Sequence, residues 1–348
     1  MIMKSRVKGA SAFAATLVIA LTLWLGFASL CAALGDFGWP LELFAHFRPQ
    51  WAALALVALL ASLALRHGPL ILVNVVLLAA NVVPLFPHLM SYVRAPATAE
   101  ATGRSLRVLS LNLHANGTQL DHFGALLDKE SPDVVVLTEM HETFGNRMGP
   151  LLESYPYKLV GRGGPGRFHE INIYSRWPLG SVQTTRVSAL QLPVISVGLC
   201  PPSGERGACL QVVALHGMAP FGEGAKLRAQ QLDAAARAVA GHLGPALMIG
   251  DLNMTPWSPT FRKLLDSTRL KDASVARGIA PTWAPRSWSE RVRGFTEDVA
   301  PFLGLSIDHA LVTPDIAVRD SRIGPMVGSD HWPIIVDLQL PDLAQPRF

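Results

Sequence analysis

The stretch Gly-Ser-Asp-His-Trp-Pro-Ile at residues 328–334 places an acid and a base, Asp330 and His331, directly before an apolar run. The alternation of apolar residues at 334–338 is typical of a β-strand with one buried face. A carboxylate beside an imidazole at the mouth of a strand can activate water or hold an anion. This stretch therefore indicates an enzyme built on a β-sheet, with its chemistry at the strand ends.

Three further polar residues stand at the ends of strand-like runs upstream: Asn112, Glu139 and His216. A carboxylate at the end of a buried strand needs a partner, and a hard cation such as Mg2+ prefers oxygen ligands. Each residue also has a structural explanation. Glu139 can cap a helix or join a surface salt bridge, and a lone histidine at a strand end is usually structural. Together the three indicate a shared site.

Asp251 and Asn253 follow another buried strand-like run, and strand alternation places both side chains on one face. Both residue types also form turns, which is the alternative explanation. Their paired spacing directly after a buried run favours function. Asp308 lies inside a later run, where it can hydrogen-bond one nitrogen of His331 and raise the basicity of that imidazole.

The composition is too apolar for a purely soluble protein, with 50% hydrophobic and 16% charged residues among 348. Residues 1–94 carry six basic and two acidic side chains, and this excess equals the net charge of +4 for the whole chain. Residues 95–348 hold 24 basic and 24 acidic side chains and are formally neutral. The sequence pI near 9.1 therefore reflects the N-terminal part and is weak support for nucleic-acid binding.

The N-terminal 94 residues contain three apolar runs, at 10–34, 50–65 and 69–90. Such runs are long enough, or nearly so, to cross a bilayer as helices. A cleaved signal peptide is the alternative for the first run, but the two further runs favour three transmembrane helices in a membrane domain at 1–94. Asn74 and Asn81 share a face of the third helix and are predicted to hold it against a neighbour, with an ion or substrate path as the alternative.

The distribution of positive charge predicts the orientation of these helices. Lys4, Arg6 and Lys8 precede the first run, and Arg66 lies between the second and the third. The positive-inside rule keeps all four in the cytoplasm, so an odd number of crossings exports the C-terminal domain. The predicted location is the bacterial inner membrane, as a multi-pass protein with its catalytic domain in the periplasm.

Cys200 and Cys209 flank a turn-rich segment between two strand-like runs. Residues at the two bases of a hairpin loop can face each other at disulfide distance, and a bond there fits an oxidising compartment. Two unrelated thiols are the alternative, and the sequence leaves both open.

Residues 95–105 form a linker rich in small residues, and the catalytic domain is predicted at 106–348. Many short strands, few helices and no regular βαβ alternation suggest a mixed α/β sandwich. Strands are predicted at 106–113, 133–138, 170–174, 194–199, 210–215, 247–249, 307–312 and 334–338. Helices are predicted at 119–129, 141–154, 225–242 and 259–267.

The polar motifs occur in the order seen in the endonuclease/exonuclease/phosphatase family, which this chain resembles over about residues 105–340. The matching elements are Asn112, Glu139, IYSRWP at 173–178, His216, GDLN at 250–253, IDH at 307–309 and GSDH at 328–331. Any one of them alone would be weak, and their ordered coincidence makes the resemblance specific. It implies a four-layered α/β sandwich, two mixed sheets flanked by helices, here preceded by the three transmembrane helices.

The resemblance also implies a Mg2+ ion, or Mn2+ in its place, with Glu139 as the principal ligand and Asn112 and Asp330 close to the metal. The metal would act as a Lewis acid on the developing charge. Two positions depart from the family pattern. Thr138 stands where members often have glutamine, and Tyr174 stands where a small or aliphatic residue is common. Both departures touch substrate contacts more than metal chemistry.

The remaining roles follow from the same resemblance. His331, oriented by Asp308, would activate water or hold the phosphate. Asp251 and Asn253 would position the nucleophile and the phosphoryl oxygens, and His216 would contact the phosphate or protonate the leaving group. The residue that takes the proton from water stays open between these groups.

Three functions of different kinds are open. The leading hypothesis is a membrane-tethered, metal-dependent hydrolase of phosphoester bonds, of phosphodiesterase or nuclease type, that uses metal-assisted attack of water. The second is hydrolysis of a phospholipid or lipid-linked phosphate, and the third is a non-catalytic scaffold. The neutral charge of residues 95–348 argues against tight, salt-sensitive binding of long duplexes. Loops at 161–167 and 286–305 would decide the substrate, and no obligate protein partner is expected.

Overall fold

The computed structural model of the chain describes residues 2–91, 103–115, 118–140, 142–161, 170–202, 209–285 and 303–341. The predicted linker at 95–105 and the predicted substrate loops at 161–167 and 286–305 lie largely outside these residues. Contacts between Cα atoms divide the chain into two compact units. The helical unit comprises Met1–Pro87 with Trp257–Thr260, and the sandwich unit comprises His88–Pro256 with Phe261–Phe348.

The N-terminal helices are α1 (Ile2–Ala33), α2 (Trp39–Ala45), α3 (Arg48–Ala64), α4 (Gly68–Val82) and α5 (Phe86–Ser91). Ala12–Ala33 and Gly68–Met90 are each long and apolar enough to cross a membrane. A third span exists if α2 and α3, bent by 59° at their break, count as one. Pro49 stands in the first turn of α3, where proline begins a helix rather than continuing one. Two or three helices could therefore span a membrane, where three were predicted.

Asn74 and Asn81 on α4 are fully buried inside the helical unit. Asn74 Nδ2 donates to Thr22 Oγ1 on α1 at 3.0 Å and to Ser62 Oγ on α3 at 3.1 Å. Seven residues further on, Asn81 Nδ2 donates to Ser29 Oγ on α1 at 2.8 Å. These hydrogen bonds join α4 to its neighbours, which is the packing role that the seven-residue spacing predicts.

The described part of the sandwich unit contains twelve strands. They are β1 (Ser105–Ala115), β2 (Val134–Met140), β3 (Tyr157–Leu159), β4 (Ile171–Ser175), β5 (Leu179–Val187), β6 (Leu192–Leu199), β7 (Leu210–Leu215), β8 (Ala246–Asp251), β9 (Lys271–Asp272), β10 (Asp308–Val312), β11 (Ala317–Ile323) and β12 (Ile334–Gln339). The first sheet has the order β11-β12-β1-β2-β4-β3, and the second has the order β5-β6-β7-β8-β10-β9. Both sheets are mixed, because β1 is parallel to β2 and β7 is parallel to β8, while their other pairs are antiparallel.

The helices of this unit are α6 (Leu120–Glu130), α7 (Glu142–Met148), α8 (Glu223–Ala240) and α9 (Pro259–Ser267). Alternate residues of the central strands, among them Val136 and Val212, form an apolar core between the two sheets. The opposite faces of the strands pack against helices, with Phe123 of α6 on the first sheet and Leu232 of α8 on the second. Helix, sheet, sheet and helix make four layers, so the predicted four-layered α/β sandwich is confirmed.

The eight predicted strands correspond to β1, β2, β4, β6, β7, β8, β10 and β12. The four strands without a prediction, β3, β5, β9 and β11, lie at the edges of the two sheets. The helix predicted at 141–154 is shorter than expected. α7 ends at Met148, and a 3₁₀ turn with Pro150 in its first turn follows, because proline cannot continue the α-helical hydrogen-bond ladder.

Strand direction brings the predicted site residues to one edge of the sandwich. β1 is parallel to β2, with α6 between them in the chain, and β7 is parallel to β8, with α8 between them. The polar residues near the carboxyl ends of these strands therefore lie at the same end of each sheet. β10 runs antiparallel to β8, with Asp308 opposite Asp251, and β12 runs antiparallel to β1. The segments that enter β10 and β12 therefore reach that edge from the other direction.

Cys200 and Cys209 are joined by a disulfide that closes the connection between β6 and β7. The pairing decides between the two alternatives that the sequence left open. The residues between them, at 203–208, lie outside the described part of the chain.

Candidate active site

Asn112 connects the two sheets at the site edge. It is buried, and its Nδ2 donates to Glu139 Oε1 at 2.9 Å and to Asp251 Oδ2 at 3.1 Å. Its Oδ1 accepts the backbone N–H of His114 at 2.9 Å. Because both ends of the amide are engaged, the orientation of Asn112 is fixed, and one side chain holds a carboxylate from each sheet.

His331 and Asp308 form the acid–base pair at the centre of the site. His331 Nδ1 lies 2.8 Å from Asp308 Oδ2, and both side chains are buried. The other ring nitrogen, Nε2, lies 3.7 Å from Asp251 Oδ2. The backbone of His331 is held by Ser329, whose Oγ accepts the His331 N–H at 3.0 Å and donates to Asn112 O at 2.7 Å. The imidazole is therefore oriented from both its ring and its main chain.

Asp251 is the point on which the other groups converge. Its Oδ1 accepts the backbone N–H of Asn253 at 2.9 Å. Its Oδ2 is approached by four side-chain nitrogens: Asn112 Nδ2 at 3.1 Å, Asn253 Nδ2 at 3.5 Å, His216 Nε2 at 3.6 Å and His331 Nε2 at 3.7 Å. His216 Nε2 also lies 3.4 Å from Glu139 Oε1. All the predicted catalytic side chains thus surround one carboxylate.

Helix α8 holds the loops that carry His216 and Asn253. Gln231 Nε2 donates to His216 O at 2.7 Å, and the fully buried Arg228 donates to Asn253 O. Asn253 Nδ2 donates in turn to Gly217 O at 2.8 Å. These contacts fix both loops against the second sheet, although neither Gln231 nor Arg228 was predicted as part of the site.

Local backbone geometry separates the site from ordinary strand ends. Seven described residues other than glycine have a positive φ, and three of them are in the site: His114 at 48°, Glu139 at 54° and Asn253 at 50°. Such conformations cost energy and concentrate at functional positions. Glycine is required at position 250 both by its φ of 138° and because a Cβ there would clash with the carbonyl oxygen of Leu215.

Asp330 is held by two residues that the sequence did not single out. Trp283 Nε1 donates to Asp330 Oδ2 at 3.1 Å. His114 Nδ1 lies 3.1 Å from the other oxygen, Oδ1, and its side chain is 41% exposed. The Asn112-Leu113-His114 spacing puts two polar residues on alternate strand positions, which is a signal that could have revealed His114. Trp283 stands outside any periodic run and gives no such signal.

Burial and neighbouring charges shift three pKa values in the site. Burial, followed by the negative charge of Asp308, raises the pKa of Asp251 to about 7. Burial alone would lower the pKa of His331, but the charge and hydrogen bond of Asp308 outweigh it and raise that pKa to about 10. Burial raises the pKa of Glu139, and the hydrogen bond from Asn112 opposes the shift. The Asp308 carboxylate thus favours the protonated form of His331, and burial favours the protonated form of Asp251.

Two groups of side chains could hold a metal ion. The first is Asp251, Asp308 and His331, whose ligand atoms all lie within 4.8 Å of one another. In this group, however, the Asp308–His331 hydrogen bond already engages one ligand atom on each partner.

The second group is the predicted set of Asn112, Glu139 and Asp330, in which Glu139 and Asp330 offer carboxylate oxygens, while Asn112 Oδ1 already accepts the His114 N–H. Asp330 Oδ1 is buried and makes no hydrogen bond within the described residues, although it lies near His114 Nδ1. A buried carboxylate oxygen in that state is satisfied by a hard cation such as Mg2+. The carboxylates of Glu139 and Asp330 therefore have the chemistry to hold a divalent cation.

Comparison with known proteins decides the family. The sequence profile of the endonuclease/exonuclease/phosphatase family matches residues 108–331, more than half of the chain and a range that contains all eight predicted site residues. The chain belongs to the endonuclease/exonuclease/phosphatase family. The resemblance drawn from the ordered motifs is therefore confirmed, and membership supports a phosphoester hydrolase.

Solved structures of family members share the fold. An endonuclease/exonuclease/phosphatase from Beutenbergia cavernae is 21% identical, with 68% of this chain and 72% of that chain covered and a TM-score of 0.54. One from Bacteroides vulgatus is 17% identical, covers 68% and 99%, and has the same TM-score, 0.54. A 3′ phosphatase from Neisseria, bound to a product DNA hairpin, is 20% identical, covers 66% and 98%, and has a TM-score of 0.51. No curated protein sequence matches the chain significantly.

Proposed function

We propose that this family member is a membrane-tethered, divalent-metal-dependent hydrolase of phosphoester bonds, of phosphodiesterase or nuclease type. The observation that carries the proposal is the convergence of the His331–Asp308 pair on Asp251, at the seam between the two sheets. A carboxylate with a raised pKa that can take a proton, and an imidazole that a second carboxylate orients toward the phosphate, are groups that hydrolysis requires.

In this proposal Glu139 is the principal metal ligand, and Asn112 and Asp330 lie close to the metal. Mg2+ is the expected ion, with Mn2+ able to replace it, because the set offers oxygen atoms. When bound, the cation supplies Lewis-acid stabilisation of the charge that develops on the phosphoryl oxygens. The buried oxygen of Asp330 without a hydrogen bond supports this assignment.

The two raised pKa values divide the proton chemistry between Asp251 and His331. Asp251 titrates near neutrality, so its carboxylate is suited to take the proton of the attacking water. Asn253, whose Nδ2 donates to Gly217 O and lies 3.5 Å from that carboxylate, helps to position the nucleophile and the phosphoryl oxygens. His331 stays protonated at neutral pH, so its Nε2–H donates to a phosphoryl oxygen. His216 Nε2 contacts the phosphate or protonates the leaving group.

The membrane part of the proposal rests on residues 1–94 as a multi-pass domain, 95–105 as a linker and 106–348 as the catalytic domain. The two or three candidate spans support it, as does the excess of positive charge before the first span. The Cys200–Cys209 disulfide supports an oxidising compartment for the catalytic domain, which in a bacterium is the periplasm.

A lipid-linked phosphate is the second candidate substrate, and one observation favours it. The 24 basic and 24 acidic residues of 95–348 leave that region formally neutral, whereas proteins that bind long duplexes tightly carry an excess of cations. A tethered enzyme would meet lipid phosphates continuously. The two substrates call for the same site chemistry, so only an assay with both can separate them.

The test uses the full-length protein in detergent with Mg2+. One arm offers supercoiled plasmid, and the other offers mixed micelles of a fluorescent phospholipid. Cleavage in either arm should be lost with EDTA and in His331→Ala, and kept in His122→Ala, a matched change at an exposed histidine of α6. Plasmid nicking identifies a nuclease, and lipid cleavage identifies the second candidate. No turnover in either arm with Mg2+ or Mn2+ would contradict the proposal and favour a non-catalytic scaffold.

A further inference from the structure

Trp283 makes a polar contact with the site that nothing in the proposed mechanism uses. Its Nε1–H donates to Asp330 Oδ2 at 3.1 Å, and its ring is only partly buried. Asp330 Oδ1 has no hydrogen bond among the described residues. The indole therefore engages one oxygen of the carboxylate, and the other oxygen lies 3.1 Å from His114 Nδ1.

The backbone around Trp283 is fixed to the same segment. Ala284 N donates to Asp330 O at 3.0 Å, Trp332 N donates to Thr282 O at 2.8 Å, and Trp283 forms an isolated bridge with His331. Thr282–Ala284 therefore form main-chain contacts with Asp330, His331 and Trp332. Because the main chains of the two segments are paired, the backbone of Trp283 is held beside Asp330, within reach of the indole N–H.

The neighbouring residue extends this arrangement to the other catalytic acid. Thr282 is fully buried, and its Oγ1 accepts the backbone N–H groups of Ile307 and Asp308, each at 2.9 Å. Trp283 also exchanges backbone hydrogen bonds with Leu305, at 2.8 and 3.0 Å. Thr282–Ala284 therefore connect the segments that carry Asp308, Asp330 and His331.

We propose that Trp283 is a positioning residue for Asp330: its indole N–H engages Oδ2 and so orients the carboxylate that would help to hold the metal. The proposal rests on the metal site proposed above. Hydrogen bonds from outer residues orient metal-binding carboxylates and tune their affinity, and their loss typically weakens metal binding about 10- to 100-fold. A ring that only packed against the loop would need no N–H.

The contact of Asp330 with His114 differs from its contact with Trp283. The His114 side chain is 41% exposed, so it can turn away from Oδ1 when a cation binds there. Trp283 is held on both sides by paired main chain and cannot leave Oδ2 in the same way. The two contacts therefore differ. The donor to Oδ2 belongs to a segment that is anchored by main-chain pairing, whereas the imidazole beside Oδ1 is a partly exposed side chain that a cation could replace.

The experiment measures Mn2+ binding to full-length protein in detergent by calorimetry, and no turnover is needed. Trp283→Phe keeps an aromatic ring and removes the N–H. Its Mn2+ dissociation constant should rise about 10-fold, the lower end of the range for such outer contacts. Trp51→Phe is the matched control, because it also removes an indole hydrogen bond, there to the main-chain oxygen of Phe44 in the helical unit. It should leave Mn2+ binding unchanged.

A third variant, Asp330→Asn, separates failure of this inference from failure of the metal site. If the wild type does not bind Mn2+, or binds it equally well with Asp330→Asn, the proposed metal site is wrong. If Asp330→Asn weakens binding and Trp283→Phe does not, the metal site stands and the positioning role is wrong. Equal thermal unfolding temperatures of Trp283→Phe and the wild type would show that any weaker binding is not caused by unfolding.

Discussion

Two buried asparagines, Asn74 in the helical unit and Asn112 in the sandwich unit, teach how to distinguish packing from chemistry. Both side chains are essentially inaccessible, and both hold neighbouring elements together through Nδ2. Asn74 donates to the hydroxyls of Thr22 and Ser62, whereas Asn112 donates to the carboxylates of Glu139 and Asp251. The chemical nature of the hydrogen-bond partners, rather than the burial of the amide, distinguishes the packing position of Asn74 from the candidate site position of Asn112.

Asn74, Thr22 and Ser62 form an uncharged hydrogen-bonded group. Thr22 Oγ1 also donates to Val18 O, and Ser62 Oγ donates to Ala58 O, so these hydroxyls have partners within their own helices. The group around Asn112 is different, because it brings together carboxylates whose mutual repulsion only a cation or a proton can relieve. We therefore expect changes near Asn74 to alter stability and changes near Asn112 to alter turnover.

The largest effect should come from Asp308→Asn. The amide carries no charge to stabilise the His331 imidazolium and can present its NH2 group to Nδ1, so kcat should fall on the order of 10⁴-fold, as for the orienting carboxylate of a catalytic triad. Steady-state kinetics on whichever phosphoester the enzyme cleaves would measure it. A variant with kcat within threefold of the wild type would contradict the role of the pair.

Asn112→Ala should have the next largest effect. It removes the donor shared by Glu139 and Asp251, and kcat/KM should fall by about 10²-fold, the scale of losing one fixed hydrogen bond in an active site. The Mg2+ concentration needed for half-maximal rate should rise as well. If the unfolding temperature falls while the Mg2+ requirement stays constant, Asn112 is a packing residue like Asn74.

The pH dependence of kcat/KM should separate the two acids of the site. Activity requires Asp251 ionised and His331 protonated, so the rate should rise with pH through about 7 and fall again through about 10. A bound cation favours the ionised carboxylate, so saturating Mg2+ should move the acid limb to lower pH. A profile whose acid limb does not respond to Mg2+ would show that the titrating group is remote from the metal.

Asn74→Ala should have the smallest effect and should leave turnover unchanged. The loss of its hydrogen bonds to Thr22 and Ser62 should reduce the free energy of unfolding by about 0.6–1.7 kcal/mol, the range for such bonds between membrane helices. Thermal unfolding in detergent, with kinetics on the same sample, checks both halves. A drop in kcat at unchanged stability would break the distinction between the two asparagines.

The strands that could be predicted from sequence are those with an apolar face on each side. β2, for example, is buried along almost its whole length and gives a continuous apolar run, Val134 to Leu137. β5 is exposed at seven of its nine residues, so its sequence, Leu-Gly-Ser-Val-Gln-Thr-Thr-Arg-Val, carries no such run. An edge strand forms because its neighbour offers hydrogen bonds, and that cause is not visible in its own residues.

The site shows the same division. Asn112, Glu139 and Asp251 end buried strands, so apolar runs point to them. Trp283 lies in an irregular segment and reaches Asp330 only because two distant stretches of main chain are paired. His309, next to Asp308, illustrates alternation within β10: its ring turns away from the site to Met254 O and Phe261. Contacts made through tertiary pairing leave no local pattern to predict from.

The position of β12 has a consequence for how the enzyme becomes active during its own synthesis. β12 inserts between β11 and β1 inside the first sheet, although it is the last described strand in chain order. Asp330 and His331 enter the site on the segment that leads into it. In a nascent chain that has left the ribosome only as far as β10, the side of β1 that pairs with β12 has no partner strand, and His331 is not yet in the site. The cluster of site residues is therefore complete only after β12, the last described strand, has docked, long after the N-terminal helices have been made.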